Sequence, residues 1–120
     1  MESLQIFLVG LVAFEHFYFM ILEMFLWDKP KGLSTFGMTL EKAKATKILA
    51  MNQGLYNGFL AAGLIWSILS ESNFVDLSIF FLSCVVIAGI VGALTTKKNK
   101  LFFVQSVPAI LGIIVILLNN

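Results

Sequence analysis

Four long apolar stretches, residues 4–27, 47–69, 74–95 and 101–118, take up most of this 120-residue chain. Each reaches or approaches the roughly 20 residues that a helix needs to cross a hydrocarbon core. In lipid, only helices and closed barrels satisfy every backbone polar group, and these runs lack the strict alternation of barrel strands. The expected fold is therefore all-α, an integral membrane four-helix bundle forming a single domain over residues 1–120. Composition points the same way. Hydrophobic residues make up 59% and charged residues 12%, against about 45–50% and about 25% in soluble domains. That balance excludes a soluble enzyme, a disordered tail and a disulfide scaffold. Cys84 is the single cysteine and can close no internal disulfide. A net charge of +1 without any arginine argues against a nucleic-acid partner.

The lysines orient the spans. Lys29, Lys31, Lys42, Lys44 and Lys47 lie around the first connection, and Lys97, Lys98 and Lys100 in the third. Glu2, Glu71 and Asp76 mark the opposite side, which has no lysine. By the positive-inside rule the lysine side is cytoplasmic, so both termini lie outside and the protein is a multi-pass resident of the plasma membrane. The first span reads as a true span rather than a signal peptide, since Glu2 replaces a basic n-region. Pro30 and Gly32 are expected to break the chain after it. Thr39 is placed to cap the second helix, with Glu41 in its first turn, so that residues 39–47 form a wet extension. Trp27 and Trp66 have the character of interfacial belt residues.

Polar residues inside the spans are the candidates for chemistry. The first span holds Glu15, His16, Tyr18 and Glu23 among fourteen Leu, Ile, Val and Phe residues. Those fourteen contribute roughly −6 kcal/mol to insertion, while one central carboxylate costs about 2.5–3.5 kcal/mol. The acids therefore consume much of the span's margin. The second span holds Asn52, Gln53, Tyr56 and Asn57, as two i,i+4 pairs on one expected polar face. At about 1.5 Å per residue, Glu23 matches the depth of Asn52 and Gln53, and Glu15 and His16 match Tyr56 and Asn57. Gln105 on the fourth span could join the shallower layer, and Tyr18 is a further secondary candidate. His16 and Glu23 share a face but lie roughly 10.5 Å apart along the axis, too far to share one ion, and no metal or other cofactor is expected. The motif Gly54-Leu-Tyr-Asn-Gly58 marks close helix packing.

Two segments have a family likeness. One is Glu15-His16-Phe17-Tyr18 running on to Leu22-Glu23-Met24-Phe25-Leu26-Trp27; the other is Asn52-Gln53-Gly54-Leu55-Tyr56-Asn57-Gly58-Phe59-Leu60-Ala61-Ala62-Gly63. Together they resemble the bacterial family of small four-span membrane proteins known as domain of unknown function 1304. The resemblance implies a fold and the residue set Glu15, His16, Glu23, Asn52, Gln53, Tyr56 and Asn57, without a reaction. Three functions stay open at this point. The first is proton- or cation-linked binding or transport of a small molecule in a Glu/His/Asn/Gln pocket. The second is an intramembrane acid–base enzyme, of isomerase or hydrolase type, acting on a lipid-soluble substrate. The third is a structural or assembly protein. The bilayer is the expected partner, with a small-molecule or lipid-soluble ligand and a second copy of the chain as further candidates.

Overall fold

A computed structural model describes residues 2–120, with the backbone alone at Leu101. Five helices follow one another: α1 (Glu2–Phe25), α2 (Pro30–Phe36), α3 (Leu40–Leu69), α4 (Phe74–Thr96) and α5 (Asn99–Leu118). The described residues contain no strand. Helices of 24, 30, 23 and 20 residues occupy the four apolar stretches. Two of them, α1 and α4, are long and apolar enough to cross a membrane, and 102–118 forms a shorter apolar helix. The chain divides into two compact units, residues 15–59 and residues 2–14 with 60–120.

Within residues 15–59, the second half of α1 runs antiparallel to the first half of α3. Thr39 caps α3 as expected, its hydroxyl oxygen accepting the Lys42 backbone N–H at 3.1 Å. Thr46, one turn further on, ties the helices together. Its hydroxyl donates to the Lys42 carbonyl at 2.8 Å and accepts the indole N–H of Trp27 at 3.1 Å. One residue further along α3 and along the turn after α1, Lys47 Nζ meets Asp28 Oδ2 at 3.0 Å. That ammonium hydrogen bond holds the Asp28 carboxyl below its ordinary value.

The connection differs from the expectation that Pro30 and Gly32 simply break the chain. Pro30 occupies the first turn of α2, where its missing N–H costs nothing and its fixed φ suits a helix. Gly37 ends the helix in the left-handed region at φ 61°, its N–H bonding the Leu33 carbonyl. Gly32 is buried against the end of α1. A Cβ there would lie 2.1 Å from the Leu26 carbonyl oxygen and 2.7 Å from that of Trp27, so only glycine allows this approach. Phe36 then packs on Trp27 with ring centroids 4.9 Å apart.

In the other unit, Val9, Val12, Leu64, Leu82, Val85 and Ala109 are part of one apolar core drawn from four helices. Small residues set its close contacts. Gly63 lies against the Phe81 ring, and Gly89 against Ser106, whose hydroxyl donates to the Val86 carbonyl at 3.1 Å. Ser67 and Ser78 return their hydroxyl protons to carbonyls in the preceding turn, so both buried hydroxyls are satisfied within their own helices. Much of the outward surface is apolar too, with Phe80, Ile87, Leu94 and Leu117 exposed. Only 22% of the most apolar window of α4 is buried.

Candidate functional site

Glu23 is almost fully enclosed, at 3% exposure. Its two carboxylate oxygens are held separately by side chains one turn apart on α3. The Gln53 amide donates through Nε2 to Oε2, and the Asn57 amide donates through Nδ2 to Oε1, each at 2.5 Å. The spacing explains the clasp, because residues i and i+4 stack along one helix face and present two N–H groups to the two oxygens of one carboxylate. Both partners are neutral; among the described residues Glu23 makes no ion pair.

The clasp depends on a close helix approach, which the glycines of the G-x-x-x-G segment permit. A Cβ on Gly54 would lie 2.7 Å from Met24 Cγ, 3.0 Å from Glu23 Cβ and 3.2 Å from the Met20 carbonyl oxygen. One turn on, a Cβ on Gly58 would meet Met20 Sδ at 2.7 Å. The bare α3 backbone therefore lies against the helix that carries Glu23. This supporting role of Met20 and Met24 was not legible in the sequence, although the glycine spacing that creates it was.

The expected contact between Glu23 and Gln53 is present. The expected layering is not, because Asn57 turns to Glu23 instead of to Glu15 and His16. Asn52 and Tyr56 face away from the clasp. Both are exposed, Tyr56 at 64%, with its ring edge-on to Phe59. Of the single polar face read from the sequence, Asn57 is buried and Gln53, although exposed, reaches Glu23 with its amide, while Asn52 and Tyr56 are exposed without a hydrogen bond to it. Glu15 is partly buried, and its Oε1 is shut off from solvent without a hydrogen-bond partner among the described residues. His16 is completely buried, with Phe19 edge-on at 5.4 Å. Tyr18 is exposed on α1, and Gln105 lies partly buried on α5.

One carboxylate whose two oxygens each accept an amide N–H is a centre that can take up a proton, and it is unlike a transition-metal site, which needs imidazole or thiolate ligands. No group of three His, Cys, Asp or Glu side chains occurs among the described residues.

A buried carboxylate clasped by carboxamides between apolar helices defines an all-helical protein with an ionisable centre. The chain belongs to the DUF1304 family. The family model, described as "Protein of unknown function (DUF1304)", matches residues 10–117. The chain is also similar to "Uncharacterized protein YpaA" of Lactococcus lactis subsp. lactis (strain IL1403), with 34% identity over 116 residues, covering 95% of this chain and 97% of the relative. No solved structure matches the chain.

Proposed function

We propose that this chain is a four-span protein of the plasma membrane, with both termini outside, that binds a proton or small cation at Glu23 and links that binding to the uptake or movement of a small molecule. One observation carries the reading. A carboxylate enclosed between apolar helices is held by two neutral carboxamides. The amides orient the charge and leave it unneutralised, so a proton or cation supplies the missing compensation. Four helices of 20 residues or more support the span count, two of them long and apolar enough to cross a membrane, and the one-sided lysines support the orientation. Gln53 and Asn57 fix the carboxylate geometry, and the glycine contacts hold the two helices at the distance this needs.

Liposomes containing the purified protein and a pH-sensitive dye test the reading. A membrane potential is imposed in sodium, potassium or choline buffer, and internal pH is followed. Wild-type protein should carry current or protons in at least one buffer, and Glu23→Gln should abolish this while keeping its helical circular dichroism. Equal rates for the two proteins, or no flux above empty liposomes in any buffer, would refute it.

A second reading, an intramembrane acid–base enzyme acting on a lipid-soluble substrate, draws on Glu15. Its buried Oε1 has no partner among the described residues, and His16 follows it directly in the chain. A chemically altered lipid product without ion flux would select this reading.

A further inference from the structure

Both amides of the clasp present N–H groups to Glu23, Gln53 to Oε2 and Asn57 to Oε1. That polarity matches an ionised carboxylate, which accepts at both oxygens. The two amides differ in freedom. Asn57 is buried, while Gln53 is exposed and has one more rotatable side-chain bond. Half a turn about the last of these bonds replaces the Gln53 N–H with its carbonyl oxygen and moves no backbone atom.

A protonated Glu23 calls for that reversal. With the proton on Oε2, this oxygen becomes a donor and confronts the Gln53 N–H with like polarity. After the turn the Gln53 carbonyl accepts the new O–H, and Asn57 still donates to Oε1. The clasp then matches the acid as fully as the carboxylate, and neither state leaves an enclosed polar group unpaired. A metal cation fits less well. Hard cations take about six or more oxygen ligands, and intramembrane sodium sites draw them from unwound backbone carbonyls. Helices α1 and α3 run unbroken through Glu23, Gln53 and Asn57, so the carbonyls there are engaged in helix bonds. Even with both amides reversed, the clasp offers two oxygens from Glu23 and one from each amide. A proton needs only one.

We infer that the ion bound at Glu23 is a proton, which leaves water to form an O–H bond at Oε2, and that the exposed Gln53 amide turns to accept it while Asn57 holds the other oxygen. The assignment rests on the ion-binding reading of Glu23 and names its ion. From α3, Glu23 is met by Gln53, Gly54 and Asn57, none of which titrates. On α1, Glu15 and His16 lie about two turns away, and past its end Asp28 is paired with Lys47. Lys29, Lys31 of α2, and Glu41, Lys42 and Lys44 of α3 are exposed.

Infrared difference spectroscopy of the full chain in lipid films provides the test, with protons and sodium ions as probes. A step from alkaline to acidic choline buffer should exchange carboxylate bands for a protonated carboxyl band. The part of that exchange lost in Glu23→Gln belongs to Glu23, and Glu23→Asp, which keeps an acid, should move the same band and so assigns it a second way. Replacing choline by sodium at constant alkaline pH should leave the Glu23 bands unmoved. In protein carrying isotope-labelled glutamine, the acid step should shift a side-chain amide band, and Gln53→Ala should abolish the shift while the protein stays helical by circular dichroism. A sodium-induced shift of the Glu23 bands would overturn the proton assignment and leave the ion-binding reading standing. Protonation of Glu23 without the glutamine shift would overturn the role of Gln53. Glu23 bands that respond to neither ion would remove the ion-binding reading together with this inference.

Discussion

Gly54→Ala and Gly58→Ala add the same methyl group to the same helix one turn apart, and the structure gives them opposite consequences. At Gly54 the new carbon would sit 2.7 Å from Met24 Cγ and 3.0 Å from Glu23 Cβ, with the Met20 carbonyl at 3.2 Å. Ordinary carbon contacts lie at about 3.5–4.0 Å, so beyond a turn of the Met24 side chain the helices must separate by roughly half an ångström. Neither Glu23 Cβ nor the Met20 backbone can move without moving α1. Overpacking of this kind costs about 1–3 kcal/mol, against a gain of about 0.5–1 kcal/mol for alanine over glycine inside a helix. Gly54→Ala should therefore destabilise by about 1–2 kcal/mol. It should also stretch the 2.5 Å hydrogen bonds from the two amides to Glu23, which infrared spectroscopy of the carboxyl group would register. At Gly58 the obstacle is Met20 Sδ at 2.7 Å, near the free end of a flexible side chain that can turn away. That substitution should be neutral, or stabilising by up to about 0.5–1 kcal/mol. Reversible unfolding of both variants in detergent, followed by circular dichroism, gives the comparison. Equal stabilities, or Gly58→Ala as the weaker protein, would refute the steric account of the helix pair.

Three further outcomes follow from the same structure. In intact cells expressing a Cys84→Ala background, an impermeant thiol reagent should label Ser72→Cys and spare Lys31→Cys; the reverse pattern would invert the topology. The Asp28–Lys47 pair lowers the Asp28 carboxyl below its ordinary 3.8, so the unfolded chain takes up that proton at higher pH than the folded one. Its stabilisation is complete above about pH 4 and is lost as pH falls through the folded-state value. Asp28→Asn should therefore lower the unfolding midpoint at neutral pH, and the gap to wild type should close in acid; a constant gap would mean that the pair contributes nothing. Gly32→Ala, with its Cβ 2.1 Å from a backbone oxygen, should undock α2 and expose Lys29 and Lys31 to trypsin, and cleavage no faster than in wild type would show that α2 tolerates the change.

The sequence carried the positions of the long helices and the depth match of Glu23 with Gln53, because both depend on distance along a helix axis. Rotation about the axis was not legible. Asn52 and Gln53 are neighbours in sequence, so their side chains diverge by about 100°; depth alone cannot say which one reaches Glu23. The backbone of Asn57 lies at the depth of the deeper layer, yet one carboxylate accepts donors from two successive turns of α3. The short α2 is hidden in the sequence because Pro30 and Gly32, taken singly, have the character of breakers. The informative signal was their pairing with Gly37, a proline in the first turn and a glycine just past the last one, which together bracket a helix. The separate environments of Glu15 and Glu23 arise from contacts between distant parts of the chain, which no local pattern encodes.

The Trp27–Thr46 contact has a practical consequence. The Trp27 indole proton points across to α3, while the Thr46 hydroxyl is committed to the Lys42 carbonyl. Separation of the two helices would strip the indole of its acceptor and change the wavelength of its emission. Trp66, the other indole, is 58% exposed, and replacing it with phenylalanine leaves Trp27 as the single tryptophan, excited apart from the two tyrosines at the red edge of the indole band. The protein then carries its own optical gauge of helix separation, readable during ion addition and without any attached dye.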